Sequence, residues 1–245
     1  MQDIFAEVEK LQKEINTFRP LNEQLIKQIK AYYKIGLTYS SNALEGNSLT
    51  ETETKIVLED GITIAGKPLK DHYEAVGHAQ AYDFLYTLDQ KKDITAGDIK
   101  QLHRLFYHRI DEEQAGIYRT ERVFLTGSKY ILPTPQRVPG LMDEFIGKLP
   151  NLKLSRHPAE YAALAHKEFV FIHPFVDGNG RVARLLMNLA LLQAGYTIVI
   201  IPPVLRQEYI QSLEKAHRDD KDFINLIARM VRETQLDYLR LFKAV

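Results

Sequence analysis

Residues His173 to Arg184 read HPFVDGNGRVAR. This short stretch holds an imidazole, a carboxylate, two glycines flanking an asparagine, and two guanidinium groups. Glycines let a backbone approach an anion closely and curl its N–H groups around it. Arg181 and Arg184, at i and i+3, share one helical face, and their planar forks match phosphate oxygens bidentately. Asp177 would repel such a phosphate unless a cation lay between them. Mg2+ binds through one or two carboxylates plus phosphate oxygens, so a metal is expected at Asp177. His173, with an ordinary pKa of ~6.5, suits a base near neutral pH. Each part alone is commonplace: a packing histidine, a turn, a solvated arginine pair. Gathered in one loop, they describe a phosphate-transfer site. His173 is the base and Asp177 the metal ligand. Gly178, Asn179 and Gly180 form the cradle, and Arg181 and Arg184 the charge clamps.

Such a loop needs a helix on each side. Pro174 and the glycines forbid continuous helix, so DGNG is a tight connection. It feeds a helix N-terminus, whose open N–H groups and positive dipole end favour an anion. Upstream, Pro158 suits a first helical position, and Ala162, Ala165, Phe169 and Ile172 form an apolar stripe. Downstream, Val182, Leu185, Leu186 and Leu189 form another, and Gly195 stops it.

Helical periodicity runs through most of the chain. Leu25, Ile29, Tyr32, Gly36, Tyr39 and Ala43 predict a helix that Gly46 closes. Ser48 to Glu51 has capping-box spacing and predicts a helix ending near Gly61. Asp71 with Glu74, and Thr95 with Asp98, mark two further starts. The second leads Ile99, Leu102, Phe106 and Ile110. VFLT and KYIL then flank Gly127–Ser128, which suits a two-residue hairpin turn with glycine first. Helix resumes with Val138, Met142, Phe145 and Leu149, and two more helices fill 203–218 and 220–242. The expected architecture is all-α with one β-hairpin. Residues 1–60 supply the N-terminal helices and 61–245 the catalytic domain.

Glu45 is oddly placed. A carboxylate just before Gly46 faces the negative end of its helix dipole, at a cost of about 0.5 kcal/mol. By itself this is a tolerated surface glutamate.

Composition removes several classes. Lys plus Arg and Asp plus Glu are both 32, so the formal net charge is zero. Nothing steers the whole chain toward nucleic acid or an anionic membrane. There are no cysteines, hence no disulfide and no thiolate zinc site. The charged N-terminus lacks an apolar signal core, and no apolar run approaches the roughly 20 residues that span a bilayer. A cytoplasmic protein is expected.

The sequence resembles the Fic (Fido) family, whose signature H-x-F-x-[D/E]-G-N-G-R-x-x-R is met at every fixed position. GIYRTERVF with the hairpin resembles the family's flap, and LLMNLALLQAGY its following helix. The resemblance implies transfer of AMP from ATP to a Ser, Thr or Tyr hydroxyl of a protein, the chain itself included. It makes His173 the base for that hydroxyl. Asp177 holds Mg2+ (or Mn2+ or Ca2+) against the α- and β-phosphates, and Arg181 and Arg184 bind the β- and γ-phosphates. The nucleotide-binding set then spans Asp177 to Arg184, including Val182 and Ala183. Val123, Phe124, Leu125 and Thr126 of the flap lie over the nucleotide. Tyr209 falls where some members contact it, and His217 replaces an asparagine those members use. Phosphorylating Doc-like relatives lack the DGNGR glycine pattern. Ser41 and Glu45 meet the family's inhibitory pattern [S/T]-x-x-x-E-[G/N], placed N-terminally in the same chain. Glu45 is then expected to pair with Arg184, with Ser41 steadying that helix, and Glu45 can also serve removal of AMP.

Two rivals stand beside this reading. One is a metal-dependent phosphohydrolase built on His166, His173 and Asp177, which leaves the GNGR cradle unexplained. The other is an interaction module that binds nucleotide without catalysis. Homo-oligomers are compatible with either outcome.

Overall fold

A computed structural model describes residues 3–243. Ten α-helices follow in chain order: α1 Ile4–Asn16, α2 Glu23–Ala43, α3 Glu51–Glu59, α4 Leu69–Leu88 and α5 Ala96–Tyr107, then α6 Val138–Ser155, α7 Pro158–Ile172, α8 Asn179–Gln193, α9 Arg206–Lys215 and α10 Lys221–Lys243. The chain is all-α, and no strand occurs among the described residues. No described helix is long and apolar enough to cross a membrane.

Helix α8 is the axis of the bundle. Every residue from Arg181 to Leu191 is buried. Helices α7, α4, α5 and α2 pack around it, α10 backs α7, and α1 lies along α10. One core joins the N-terminal and central helices, since Val8 and Ile15 share a cluster with Leu186 and Phe169. The α7 and α8 stripes are as expected, and Pro158 is the first residue of α7. Thr95 and Asp98 form a reciprocal capping box on α5, although that helix ends before Ile110.

Four local expectations are corrected. On α2 the buried stripe runs through Ile29, as expected, but then through Tyr33, Leu37 and Ser41 in place of Tyr32, Gly36 and Tyr39, and Tyr32 is half exposed. Steps of four along this helix follow the core better than mixed threes and fours. The capping box of α3 is Thr50 with Glu53, not Ser48 with Glu51. Ser48 instead donates its backbone N–H and its hydroxyl to the Asp71 carboxylate. Asp71 and Glu74 are therefore no cap: α4 begins earlier, at Leu69, and both acids are buried inside it. Finally, residues 122–134 form a looped flap without ladder hydrogen bonds. Its turn is centred on Thr126–Gly127, with Ser128 N–H donating to Leu125 O at 3.3 Å and Gly127 at φ 82°. Glycine is thus the second central residue, as a type II turn requires. Phe124 and Ile131 are 86% and 88% exposed, so the ribbon has no packed face to hold two strands in register.

Candidate active site

The loop between α7 and α8 is held from several sides. His173 ends α7 in the left-handed conformation, φ 52°, and is the one non-glycine residue with positive φ among those described. That backbone is uncommon for a residue with a side chain and needs outside support. Arg119 supplies it. Its buried guanidinium donates to His173 O at 2.7 Å, Glu121 O at 3.1 Å and Pro133 O at 2.6 Å. Its own N–H donates to Pro174 O at 2.8 Å. One arginine thus ties both roots of the flap to the loop.

Asn179 closes the loop on itself. Its side chain accepts from Phe175 N–H and donates to Phe175 O, both at 2.9 Å. The asparagine expected in the cradle therefore shapes it, and its buried side chain does not face outward. His103 adds a further hold. Its Nδ1 accepts from Gly116 N–H at 2.8 Å, which leaves Nε2–H to donate to Asp177 O at 3.1 Å. Gly178 starts α8 at φ 77°, and a Cβ there would come within 2.8 Å of the Phe106 ring. No side chain caps this terminus, so the first-turn N–H groups are open to an anion.

His173 Nδ1–H donates to Val170 O at 3.3 Å, which leaves Nε2 with the free lone pair. Burial pushes the imidazole down to about 4, against the upward pull of the Val170 carbonyl. The ring is neutral at pH 7, the form a base needs.

Both arginines are already engaged. Arg181 Nη1 lies 2.7 Å from Glu74 Oε1, and its Nη2 lies 3.3 Å from Asp177 Oδ1. Its guanidinium carbon sits 4.4 Å from the centre of the Phe106 ring. Arg184 Nε donates to Ser41 Oγ at 2.9 Å, and Nη2 donates to Ser41 O at 2.8 Å and to Glu45 Oε1 at 2.7 Å. Behind it, Nη1 donates to Tyr209 Oη at 3.2 Å, and Tyr209 donates to His166 Nε2 at 2.8 Å. A Cβ at Gly180 would collide with the Glu45 carboxylate, so the glycine leaves room for that group over the start of α8. Burial raises the Glu45 carboxyl, but Arg184 and then Arg181 outweigh it, and the net shift is downward. Glu45 is an anion held by Arg184 over the start of α8.

Asp177 is half exposed. Its Oδ1 accepts from Gly178 N–H at 2.6 Å and its Oδ2 lies 3.6 Å from Lys70 Nζ. Burial raises its carboxyl, but Arg181 and the Gly178 N–H hold it below its ordinary value, so it stays ionised. A single ionised, accessible carboxylate fits a Mg2+ ion that draws its other ligands from phosphates and water. No cluster of three metal-binding side chains exists among the described residues.

The expected residues are not all in one place. The structure joins His173, Asp177, the cradle, both arginines, Ser41, Glu45 and Tyr209. Tyr209 is buried behind Arg184. Val123, Phe124 and Leu125 line a separate 380 Å³ cavity under the flap with Arg119, and none of residues 173–184 lines it. Thr126 is exposed at the tip. His217 lies between the Tyr130 ring, at 3.9 Å, and the Phe171 ring, at 3.6 Å. Arg119, Glu74 and His103 are site residues that sequence reasoning missed. Arg119 lies within the flap stretch GIYRTERVF, and Glu74 has the spacing of a cap. His103 carries no local signal.

The Fic/DOC family signature matches residues 93–191. The protein adenylyltransferase Fic of Nematostella vectensis is 39% identical over 82% of this chain and 48% of its own length. The structure of Fic-1 residues 134–508 from C. elegans superposes with a TM-score of 0.88 at 31% identity, covering 98% of this chain and 72% of that one. A Fic domain-containing signalling protein from Bacteroides thetaiotaomicron gives 0.85 at 27% identity, covering 94% and 95%. The chain belongs to the Fic/DOC family. It spans about half the length of the curated relative it matches.

Proposed function

We propose that the protein transfers AMP from ATP to a Ser, Thr or Tyr hydroxyl of a protein, and that Glu45 restrains this activity. The observation that carries the reading is the Glu45–Arg184 pair at 2.7 Å over Gly180, beside a neutral His173. An internal carboxylate fills a place built for phosphate. Curated relatives bearing the name protein adenylyltransferase support the reaction class.

The chemistry follows from the residues. The target hydroxyl loses its proton to His173 Nε2 as its oxygen bonds to the α-phosphorus. The bond from that phosphorus to the bridging oxygen breaks, and pyrophosphate leaves with the electron pair. Arg181, the first turn of α8 and Arg184, once Glu45 lets go, balance charge on the phosphates. Asp177 would hold a Mg2+ ion, which supplies further neutralisation of the triphosphate. The flap, pinned by Arg119, offers an exposed ribbon on which an extended target segment can lie.

A second activity has its own observation. Glu45 remains partly exposed and its charge reaches His173, so it can activate water for removal of AMP. The phosphohydrolase reading loses its third residue, since His166 is fully buried and bonded to Tyr209.

The test uses ATP labelled at the α- or the γ-phosphate with the full chain and a lysate. α-Label on protein with γ-label left in solution is expected. γ-Label on protein, or hydrolysis without protein labelling, would overturn the reading.

A further inference from the structure

A cavity of 630 Å³ lies at the other end of α2 from Glu45. Its walls include Arg19 before α2, Ile26, Ile29 and Lys30 of α2, Tyr86 of α4, Tyr238 of α10, and Tyr196 after α8. Its polar groups have one sign. No carboxylate lines it. Neither Arg19 nor Lys30 has a carboxylate partner among the described residues, and Lys30 Nζ sits 3.9 Å from the centre of the Tyr86 ring. Three aromatic rings and two cations without a carboxylate partner among the described residues form a site for a flat apolar body carrying a negative group.

We propose that this cavity binds a small aromatic carboxylate and that its occupancy is felt at Arg184. The rings take the aromatic body, and Arg19 and Lys30 take the carboxylate. The route to Arg184 is α2 itself, about 20 Å from Ile26 to Ser41 at 1.5 Å per residue. Along it, α2 meets α4 at three successive polar contacts. Tyr82 Oη donates to Lys30 O at 3.0 Å and shares a 2.9 Å bond with Tyr86. Lys34 pairs with Asp83 at 2.7 Å. Thr38 Oγ1 meets His78 Nδ1 at 3.1 Å. The next turn brings Ser41 to Arg184 Nε at 2.9 Å. A carboxylate that draws Lys30 off Tyr86 acts on the first of these contacts, and a rigid helix carries the displacement to the last. The proposal concerns geometry at Arg184 and does not depend on the transfer reaction.

The test titrates the full chain calorimetrically with naphthalene-2-carboxylate and with naphthalene-2-carboxamide, its neutral match. Saturable one-to-one binding is expected, with the carboxamide weaker by about tenfold, the effect of one lost charge-assisted contact. The Arg19→Gln, Lys30→Gln double variant, on the surface and checked for native circular dichroism, should bind both compounds at the carboxamide's affinity. Ile26→Trp, which fills the cavity from a half-buried position, should bind neither. Equal affinities for the two compounds, no saturable binding, or carboxylate binding unmoved in the double variant would overturn the site. The second readout is the Arg184 Nε–H resonance by nuclear magnetic resonance, assigned with Arg184→Lys. It should shift at saturation in the wild type and stay fixed in Ile26→Trp. A resonance that stays fixed in the wild type at saturation would overturn the coupling.

Discussion

Arg181 and Arg184 stand one turn apart on α8, and each meets a glutamate at 2.7 Å. The two pairs differ in burial. Arg181 and Glu74 are 5% and 6% exposed, whereas Arg184 is 2% and Glu45 is 36% exposed. Glu74 also accepts from Asn47 Nδ2 at 2.8 Å and is enclosed within α4. It can leave Arg181 only by breaking packing, and doing so would strand a buried charge. Glu45 sits past the end of α2, on a chain end closed by Gly46, and water can reach it. The same bond length therefore serves two purposes. At Arg181 the carboxylate is enclosed beside its guanidinium; at Arg184, on the proposed function, it occupies a position that a substrate can claim.

That contrast can be broken from either side. The largest effect is expected for Glu74→Ala, which leaves Arg181 buried without its main partner. A loss of about 3–5 kcal/mol in unfolding free energy is expected by denaturant titration, and AMP incorporation should fall. If incorporation instead rose as for Glu45, the two pairs would be equivalent and the distinction would be lost.

Glu45→Gly should leave stability nearly unchanged and speed AMP incorporation by ~10²-fold, the scale of correcting misplaced reacting groups. Adding His173→Ala should remove that gain, because a base contributes ~10²–10⁴-fold by itself. Unchanged incorporation in Glu45→Gly would reduce Glu45 to a surface residue. Faster incorporation with AMP release intact would keep the restraint and reject the hydrolytic role.

Acid should act on the loop and its surroundings together. Burial lowers His78 to about 3, and His103 and His173 to about 4, and pushes His166 well down. The folded state keeps these rings neutral while the unfolded chain protonates them near their ordinary 6.5. Between about pH 6.5 and 4 the unfolded state binds more protons, so stability falls as pH falls. Each ring contributes a slope of about 1.4 kcal/mol per pH unit. Unfolding midpoints measured across this window should decline, and His78→Gln should flatten the curve. A flat wild-type profile would contradict the burial of these rings as neutral species.

The smallest effect is expected for Ser41→Ala. It deletes one of the hydrogen bonds that hold Arg184 toward Glu45, worth about 1 kcal/mol. AMP incorporation should rise by about fivefold or less, measured beside Glu45→Gly. A rise equal to that of Glu45→Gly would show that Ser41, not Glu45, is the restraint.

The loop was legible because its signal is local. HPFVDGNGRVAR carries its turn residues, helix start and charges in sequence, and the structure assembles them between α7 and α8. The apolar stripes of α6, α7 and α8 were legible for the same reason, since every residue predicted for them is buried, although α8 is buried on its other faces as well. The flap was not. VFLT and KYIL have strand-forming side chains, but Phe124 and Ile131 remain in solvent, and a pair of segments without a packed face forms no ladder.

By itself, then, the sequence determined a chain built on helices, the helix–loop–helix at 173–184, its anion-seeking character and, through the family pattern, the pairing of Glu45 with Arg184. Tertiary structure alone decided that Glu74 serves Arg181 rather than capping a helix. Asp71 and Glu74 have the spacing of a cap, yet α4 begins before them and turns them inward to Ser48 and Arg181. Arg119 and His103 lie far along the chain from the loop atoms they hold, at His173 O and Asp177 O. Spacing along a chain reports which side chains share a face. It does not report which face another helix will cover, because that depends on how α2, α4, α5 and α8 divide one buried volume among them.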